Sequence, residues 1–167
     1  YDGDDVAIIP YVQITGGTID VTTTGEKGYG IKSEGDITIN STNPISLVST
    51  GKAGKGLKAG GDITLTLADM TILTSGDAVY DTDDADIAAA SGINCDGNLI
   101  ITKGYGSITS TGTGGKGISV DGTIDMDDGE LTITASGSSY SYSGQSSEAK
   151  GIKADGAIVI DGGELTI

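Results

Sequence analysis

The chain repeats a ten-residue segment whose first clear copy is Gly30-Ile31-Lys32-Ser33-Glu34-Gly35-Asp36-Ile37-Thr38-Ile39. Four further copies keep the leading glycine, the apolar residue after it and an apolar pair near the end, and they occupy residues 56–65, 92–101, 117–126 and 151–160. A degenerate copy begins near Val6. The first apolar positions are separated by 25, 26, 36, 25 and 34 residues, so the basic period is about 25. Periods of this length are typical of solenoids, in which each repeat stacks on the previous one.

Each period contains three short stretches in which apolar and polar residues alternate, here called a, b and c. In one repeat, stretch a begins at Ile31, stretch b holds Ile37 and Ile39, and stretch c holds Ile45 and Leu47. Alternation with a period of two predicts strands with one buried face. The pattern therefore predicts an all-β fold, and specifically a right-handed parallel β-helix of about six coils with three short strands each. A β-sandwich also has many short strands, but it does not explain a fixed period.

The composition favours one thin, repetitive domain over residues 1–167. Hydrophobic residues make up 36% of the chain and aromatic residues 4%, there is no Phe or Trp, and the 29 glycines suit many tight turns. The single cysteine, Cys95, excludes an internal disulfide framework and fits a small buried position. A net charge of -15 argues against nucleic acid as a partner, and no apolar run is long enough to span a membrane.

Two insertions lengthen the repeats, near residues 77–91 and 138–150. The glycine that closes stretch c normally stands six residues before the next stretch a, but the distance is 17 from Gly76 and 15 from Gly137. Both insertions therefore leave from the same turn of the repeat, on one edge of the predicted solenoid. Insertions confined to one face of a repeat protein often mark its binding face. The pattern allows one helical turn, within residues 86–90.

Acidic residues suggest a calcium site. Carboxylate and carbonyl oxygens are the ligands of Ca²⁺, and a flexible acidic loop suits its loose geometry. The candidate ligands lie in the first insertion and at the turn between stretches a and b, and they are Asp77, Asp81, Asp83, Asp84, Asp86, Asp96 and Asp121. The spacing is not that of an EF-hand. A solvated acidic loop and ordinary Asp-Gly turns are the alternatives.

A weaker calcium candidate lies at the turn between stretches b and c. It consists of two groups in neighbouring repeats, which are Asp125, Asp127, Asp128 and Glu130, and Asp161 and Glu164.

At the turn between a and b, carboxylates recur at one repeat position, so stacked repeats would bring them about 4.8 Å apart. A cation, solvent or the lysines at positions 32, 58 and 153 could relieve that repulsion.

Tyrosines and lysines gather on the edge that carries the insertions. Tyrosine combines an apolar ring face with a polar tip, which suits a sugar ring, and lysine can meet the carboxylates of an acidic polysaccharide. The predicted sugar-contacting residues are Tyr29, Tyr80, Tyr140, Tyr142, Lys55, Lys116 and Lys150. The alternative is that the tyrosines only cover the ends of loops.

Two passages resemble a family of secreted bacterial carbohydrate-binding β-helix proteins. They are Gly115-Lys116-Gly117-Ile118-Ser119-Val120-Asp121-Gly122, and Asp84-Ala85-Asp86 followed by Ala90-Ser91-Gly92-Ile93-Asn94-Cys95-Asp96-Gly97-Asn98-Leu99. That family is similar in fold to pectate-type polysaccharide lyases. The resemblance implies binding of cellulose or acidic, polygalacturonate-like polysaccharide, calcium in the structure, and an extracellular or cell-surface location with the export signal outside these 167 residues.

Three functions remain open on these grounds. The first is non-catalytic binding of polysaccharide by a calcium-stabilised domain. The second is a calcium-dependent polysaccharide lyase, for which the base would have to be a lysine such as Lys55 or Lys116 because the chain has no Arg or His. The third is a structural or adhesin stalk on the cell surface. Since the sequence ends on a predicted strand, end-to-end self-association is also expected.

Overall fold

The computed structural model describes residues 9–67 and 69–167, which form twenty strands. The copy of the repeat near Val6 lies outside the described residues. In chain order the strands are β1 (Tyr11–Ile14), β2 (Ile19–Thr23), β3 (Tyr29–Ser33), β4 (Asp36–Ser41), β5 (Ile45–Ser49), β6 (Lys55–Ala59), β7 (Ile63–Leu67), β8 (Met70–Thr74), β9 (Val79–Asp81), β10 (Asp86–Ala88), β11 (Ser91–Cys95), β12 (Leu99–Ser110), β13 (Lys116–Val120), β14 (Ile124–Met126), β15 (Gly129–Ala135), β16 (Tyr140–Tyr142), β17 (Gln145–Ser147), β18 (Lys150–Ala154), β19 (Ile158–Ile160) and β20 (Glu164–Thr166).

The prediction of an all-β protein with parallel strands is confirmed. The described ranges contain no helix, and the segment for which the sequence allowed a helical turn holds strand β10 instead. Because no helix is present there, no described segment meets the length and apolarity that a membrane-crossing helix needs.

Equivalent strands of successive repeats pair in parallel. The strands of stretch a form a five-stranded sheet in the order β18-β13-β11-β6-β3. The strands of stretches b and c form an 11-stranded sheet that curls at β12, because this long strand pairs with b strands at its start and with c strands at its end. The register keeps like residues together, as in Ile31↔Leu57 and Leu57↔Ile93. Repeats far apart in sequence therefore become neighbours about 4.8 Å apart.

The core consists of the inward residues of all three stretches. Ile37, Leu47 and Leu57, one from each stretch, are 0% exposed. Cys95 is equally buried, and burial raises the pKa of its thiol to about 12. The thiol is therefore a protonated filler of the core, as the sequence predicted.

Glycine is required at the second residue of the a strands because the c strands pack directly against it. A Cβ built on Gly117 would lie 2.4 Å from Cγ2 of Ile133, and a Cβ on Gly92 would lie 2.3 Å from Cγ2 of Ile108. No side chain fits there without displacing the core. The third and fifth residues of each a strand also face the core, as Leu57 and Ala59 do, so the fourth residue between them faces outward.

A second column of glycines lies at the turn from stretch c to stretch a. A Cβ on Gly76 would lie 1.8 Å from the carbonyl oxygen of Gly51, and a Cβ on Gly137 would lie 1.9 Å from that of Gly112. Gly76 and Gly137 precede the two long segments, so both segments leave from the same corner of the stack. They fold into two antiparallel hairpins, β9–β10 and β16–β17.

Candidate functional site

The outward face of the five-stranded sheet carries most of the positive charge of the protein. The first residues of its strands are aligned as Tyr29, Lys55, Ser91, Lys116 and Lys150, and the fourth residues as Lys32, Lys58, Asn94, Ser119 and Lys153. Six of the nine lysines in a chain of net charge -15 therefore lie on one surface. We call this surface the lysine face, and its members are Lys32, Lys55, Lys58, Lys116, Lys150 and Lys153.

The two hairpins form a wall beside the lysine face. The rings of Tyr80 and Tyr142 pack with their centroids 4.6 Å apart and their planes at 33°. The backbone N–H of Tyr80 donates to the hydroxyl of Tyr140 at 3.3 Å, and Nε2 of Gln145 donates to the carbonyl oxygen of Ala85 at 3.1 Å. The hairpins therefore support each other, although each comes from a different repeat.

Local sequence explains how the wall is anchored. Ser143 and Gly144 connect β16 to β17 with positive φ values of 51° and 80°, the conformation of a type I′ turn. Lys27, which precedes the sheet, forms an ion pair with Asp81 at the end of β9. This hydrogen bond raises the pKa of Lys27 and lowers that of Asp81, so the contact stays charged over a wide pH range.

A polar cleft of about 600 Å³ lies between the first hairpin and the lysine face. Its floor contains Lys55, Ser91 and Lys116, and its wall contains Asp84 and Asp86. A second cleft of about 410 Å³ adjoins it between the two hairpins, and the clefts share Lys116 and Asp86. Together they form a groove across several strands, with cations below and carboxylates on one side.

Four lysines of the face are neutralised by nearby carboxylates. Lys32 pairs with Glu34 at 2.6 Å and Lys153 with Asp155 at 2.7 Å, and Lys58 reaches Asp96. Lys150 lies 3.5 Å from Glu148. Within residues 9–67 and 69–167, Lys55 and Lys116 form no ion pair. These two are therefore the cations on the face with charge to spare for a ligand.

The environment disfavours the charge on both of these lysines. Burial, reinforced by the charges of Lys58 and Lys116 and opposed by that of Asp96, lowers the pKa of Lys55 to about 8. Burial also lowers the pKa of Lys116, with Lys150 and Lys153 adding to the effect. An acidic ligand that pairs with both lysines would offset this repulsion. Nζ of Lys55 lies 5.6 Å from the ring centroid of Tyr29, within the range of a cation–π contact.

The predicted sugar-contacting residues divide into two groups. Tyr29, Lys55, Lys116 and Lys150 lie on the five-stranded sheet. Tyr80, Tyr140 and Tyr142 lie in the hairpins, where their contacts with one another hold the wall together. Tyr142 remains 53% exposed, whereas Tyr80 and Tyr140 are half-buried.

The predicted calcium ligands are spread along the hairpin wall and the sheet. Asp77 accepts a hydrogen bond from the backbone N–H of Thr113 at 2.8 Å, which lowers its pKa, and Asp81 is paired with Lys27. The remaining members of the set are exposed carboxylates, which are Asp83, Asp84, Asp86, Asp96 and Asp121.

A tighter carboxylate group lies at the weaker of the sequence candidates. Among the described residues, the cluster of three carboxylates with ligand oxygens all within 4.8 Å of one another is Asp125, Asp127 and Asp161. Oδ1 of Asp125 is buried and has no hydrogen-bond partner. Three carboxylates this close repel one another unless a cation or a proton lies between them.

The sequence reasoning did not name Lys58, Asn94, Ser119 and Lys153 as site residues, although all four line the main cleft. The signal was present in the repeat itself. The apolar third residue and the small fifth residue of each a strand face the core, so alternation places the fourth residue on the outer surface.

A family model matches part of the chain. Residues 87–167, just under half of the chain, match the model of a family described as "Carbohydrate-binding domain-containing protein". This region runs from β10 to β20 and includes Lys116, Lys150 and Lys153. No curated protein and no solved structure shows significant similarity to the chain. The chain is thus similar, over its second half, to a carbohydrate-binding domain.

Proposed function

We propose that the protein binds polysaccharide without cleaving it, and that an acidic chain of the polygalacturonate type lies in the groove over the lysine face. The observation that carries the proposal is the concentration of six of nine lysines on this face, two of them without a carboxylate partner in the described ranges. The family match over residues 87–167 supports carbohydrate as the ligand class. Lysine, Asn94 and Ser119 offer hydrogen bonds to the carboxylates and hydroxyls of such a chain.

Affinity electrophoresis in gels that contain polygalacturonate tests this proposal. The wild-type protein should be retarded, and the double variant Lys55→Gln/Lys116→Gln should run close to its position in a plain gel. Lys52→Gln/Lys103→Gln is the matched control, because both lysines are exposed outside the lysine face and their replacement also removes two positive charges. Retardation that is equal in all three proteins would contradict the role of the face. Binding to insoluble cellulose that survives the double substitution would place a neutral polysaccharide elsewhere on the protein.

A lyase is the second candidate, because the cleft contains Lys55. With a pKa of about 8, this amine is partly neutral in mildly alkaline solution and could accept the proton alpha to a uronate carboxylate. Ultraviolet absorbance of unsaturated uronate product, measured with and without calcium, tests this reading. No product at any pH between about 7 and 9 leaves binding as the function.

We also propose that the strands wind as a right-handed parallel β-helix of about six coils. Parallel pairing of successive repeats at all three strand positions supports this reading. Crossovers between parallel strands of one sheet are right-handed in nearly all proteins. An experimental structure with left-handed connections would contradict the proposed handedness.

Calcium is proposed as the stabilising ion. Asp125, Asp127 and Asp161 fit a hard cation, because their carboxylates converge and one buried oxygen lacks a partner. They join two successive repeats, so an ion held by them would cross-link strand ends at β14 and β19. The set in the first insertion and at Asp96 and Asp121 remains a prediction. An extracellular location is proposed with it, since extracellular modules commonly use weak calcium sites.

End-to-end self-association is proposed for the surface beside β19. Ile158, Val159 and Ile160 are 48%, 41% and 40% exposed there. Unpaired strand edges with apolar side chains tend to pair with other chains. Sedimentation analysis should detect oligomers of the wild type, and the Val159→Lys variant should be monomeric. A wild-type monomer at all concentrations would contradict the proposal.

A further inference from the structure

The two uncompensated lysines of the cleft are two strands apart. Lys55 is aligned with Ser91, and Ser91 is aligned with Lys116, all at the first position of their strands. Two steps of strand spacing place their backbones about 10 Å apart across the sheet. The residue between them is a short serine, so no cation occupies the intermediate position.

The two ammonium groups contact different residues. Nζ of Lys116 donates to Oγ of Ser147 at 2.9 Å, and Oγ of this buried serine donates to the carbonyl oxygen of Gly114 at 2.9 Å. Lys55 lies on the far side of Ser91 against the ring of Tyr29. Each ammonium group therefore has its own neighbour, Ser147 for Lys116 and Tyr29 for Lys55.

The wall of the cleft repels negative charge on the side of a ligand that faces it. Asp84 and Asp86 line this wall, and within the described ranges neither forms an ion pair. Carboxylates there accept hydrogen bonds from hydroxyls but repel acidic groups. A ligand that fits both surfaces carries its acidic groups on one face and hydroxyls on the other.

We propose that the ligand is an extended acidic glycan that runs across the strands and presents a carboxylate on one face at every second sugar. One carboxylate binds Lys55 and the next one on the same face binds Lys116. A pyranose residue in an extended chain is about as long as one strand spacing, so alternate sugars match the two-strand separation. This inference rests on the proposed polysaccharide binding and adds the spacing and direction of the chain.

Calorimetric titration with galacturonate oligomers of two, three and four sugars tests the spacing. The dimer reaches one lysine, whereas the first and third sugars of the trimer reach both. Affinity should therefore rise about tenfold from dimer to trimer, as expected for one added charge-assisted hydrogen bond. The step from trimer to tetramer should be less than about threefold, because no third uncompensated lysine follows in this column. Fully methyl-esterified trimer should lose the tenfold gain.

Variants assign the step to the two lysines. Lys55→Gln and Lys116→Gln should each bind the trimer as weakly as the wild type binds the dimer, while Lys55→Arg and the control Lys103→Gln should keep the step. Circular dichroism melting shows whether each variant is folded. The dimer-to-trimer step is measured on the wild type, so this test does not depend on the folding of any variant. Affinity that rises smoothly with oligomer length, or a step that persists in both glutamine variants, would overturn this inference but not the proposed function. If no oligomer and no polygalacturonate binds the wild type, the proposed function fails and the inference with it.

Discussion

The ring of Tyr80 packs against the ring of Tyr142, and this contact joins two hairpins that belong to different repeats. Each strand of the two hairpins has only three residues. A hairpin this short is not stable alone. The wall of the cleft therefore depends on contacts between the hairpins. This relationship makes the wall a unit that a single substitution can loosen.

Replacing Tyr142 by alanine should detach the two hairpins without unfolding the sheets. The lost aromatic pair is worth about 0.5–1.5 kcal/mol, a loss confined to the wall. Hydrogen exchange should speed up in residues 77–89 and 138–149 and stay unchanged in the core strands. Tyr11→Ala is the control, since Tyr11 is 71% exposed on β1. Unchanged exchange in both hairpins would show that the ring contact does not hold the wall.

Replacing Gly117 by alanine should destabilise the whole domain. The new Cβ would lie 2.4 Å from Cγ2 of Ile133 and 2.6 Å from the carbonyl oxygen of Gly151, so the core and the next strand must both move. Overpacking of this kind lowers the free energy of unfolding by about 1–3 kcal/mol. Urea unfolding measures the loss. Gly16→Ala, at a site with nothing within 4 Å of the added carbon, should change the same quantity by under about 0.5 kcal/mol.

Ile93 and Cys95 illustrate what could be predicted from sequence. Their inward positions follow from alternation and from the 25-residue period, since stacking requires like residues at like positions. The contact between Tyr80 and Tyr142 did not follow, because a repeat pattern says where an insertion leaves the stack and not how its hairpin folds back. The convergence of Asp125, Asp127 and Asp161 did not follow either, for a related reason. Ranking acidic groups needs side-chain directions, which a pattern of charges lacks.

The pH dependence of binding should report on Lys55. Its pKa is lowered to about 8 in the free protein, so above that pH a proton must be taken up before an acidic ligand can be paired. From pH 7 to pH 9 the affinity for trigalacturonate should fall about tenfold, since the protonated fraction of Lys55 falls by that factor. Lys55→Gln should show a much flatter profile. A wild-type profile as flat as that of the variant would contradict the role of Lys55 as a ligand-binding cation.

The stability of the free protein should change in the opposite direction to its affinity for the ligand, and it should rise with pH over a higher range. The unfolded chain holds the proton of Lys55 up to its ordinary pKa of 10.5, whereas the folded protein releases it near pH 8. Between these values the unfolded state binds more protons, so the free energy of unfolding should rise with pH. Urea midpoints at pH 7.5 and 9.5 measure the difference, and Lys55→Gln should reduce the rise. A fall in the wild-type midpoint that is unaffected by the substitution would show that other groups control this range.

Calcium should raise the melting temperature through Asp125, Asp127 and Asp161. An ion bound only by the folded state at a concentration 100-fold above its Kd adds about 2.7 kcal/mol to the free energy of unfolding. Asp125→Asn/Asp161→Asn should remove most of this calcium-dependent gain, because the double variant leaves one carboxylate of the cluster. It should also melt higher than the wild type in chelator, since the uncompensated repulsion is relieved. Asp20→Asn, at an exposed position on β2, should keep the full gain, and Asp84→Asn/Asp86→Asn tests the first insertion. A gain that only the last variant removes would move the calcium site to the hairpin wall.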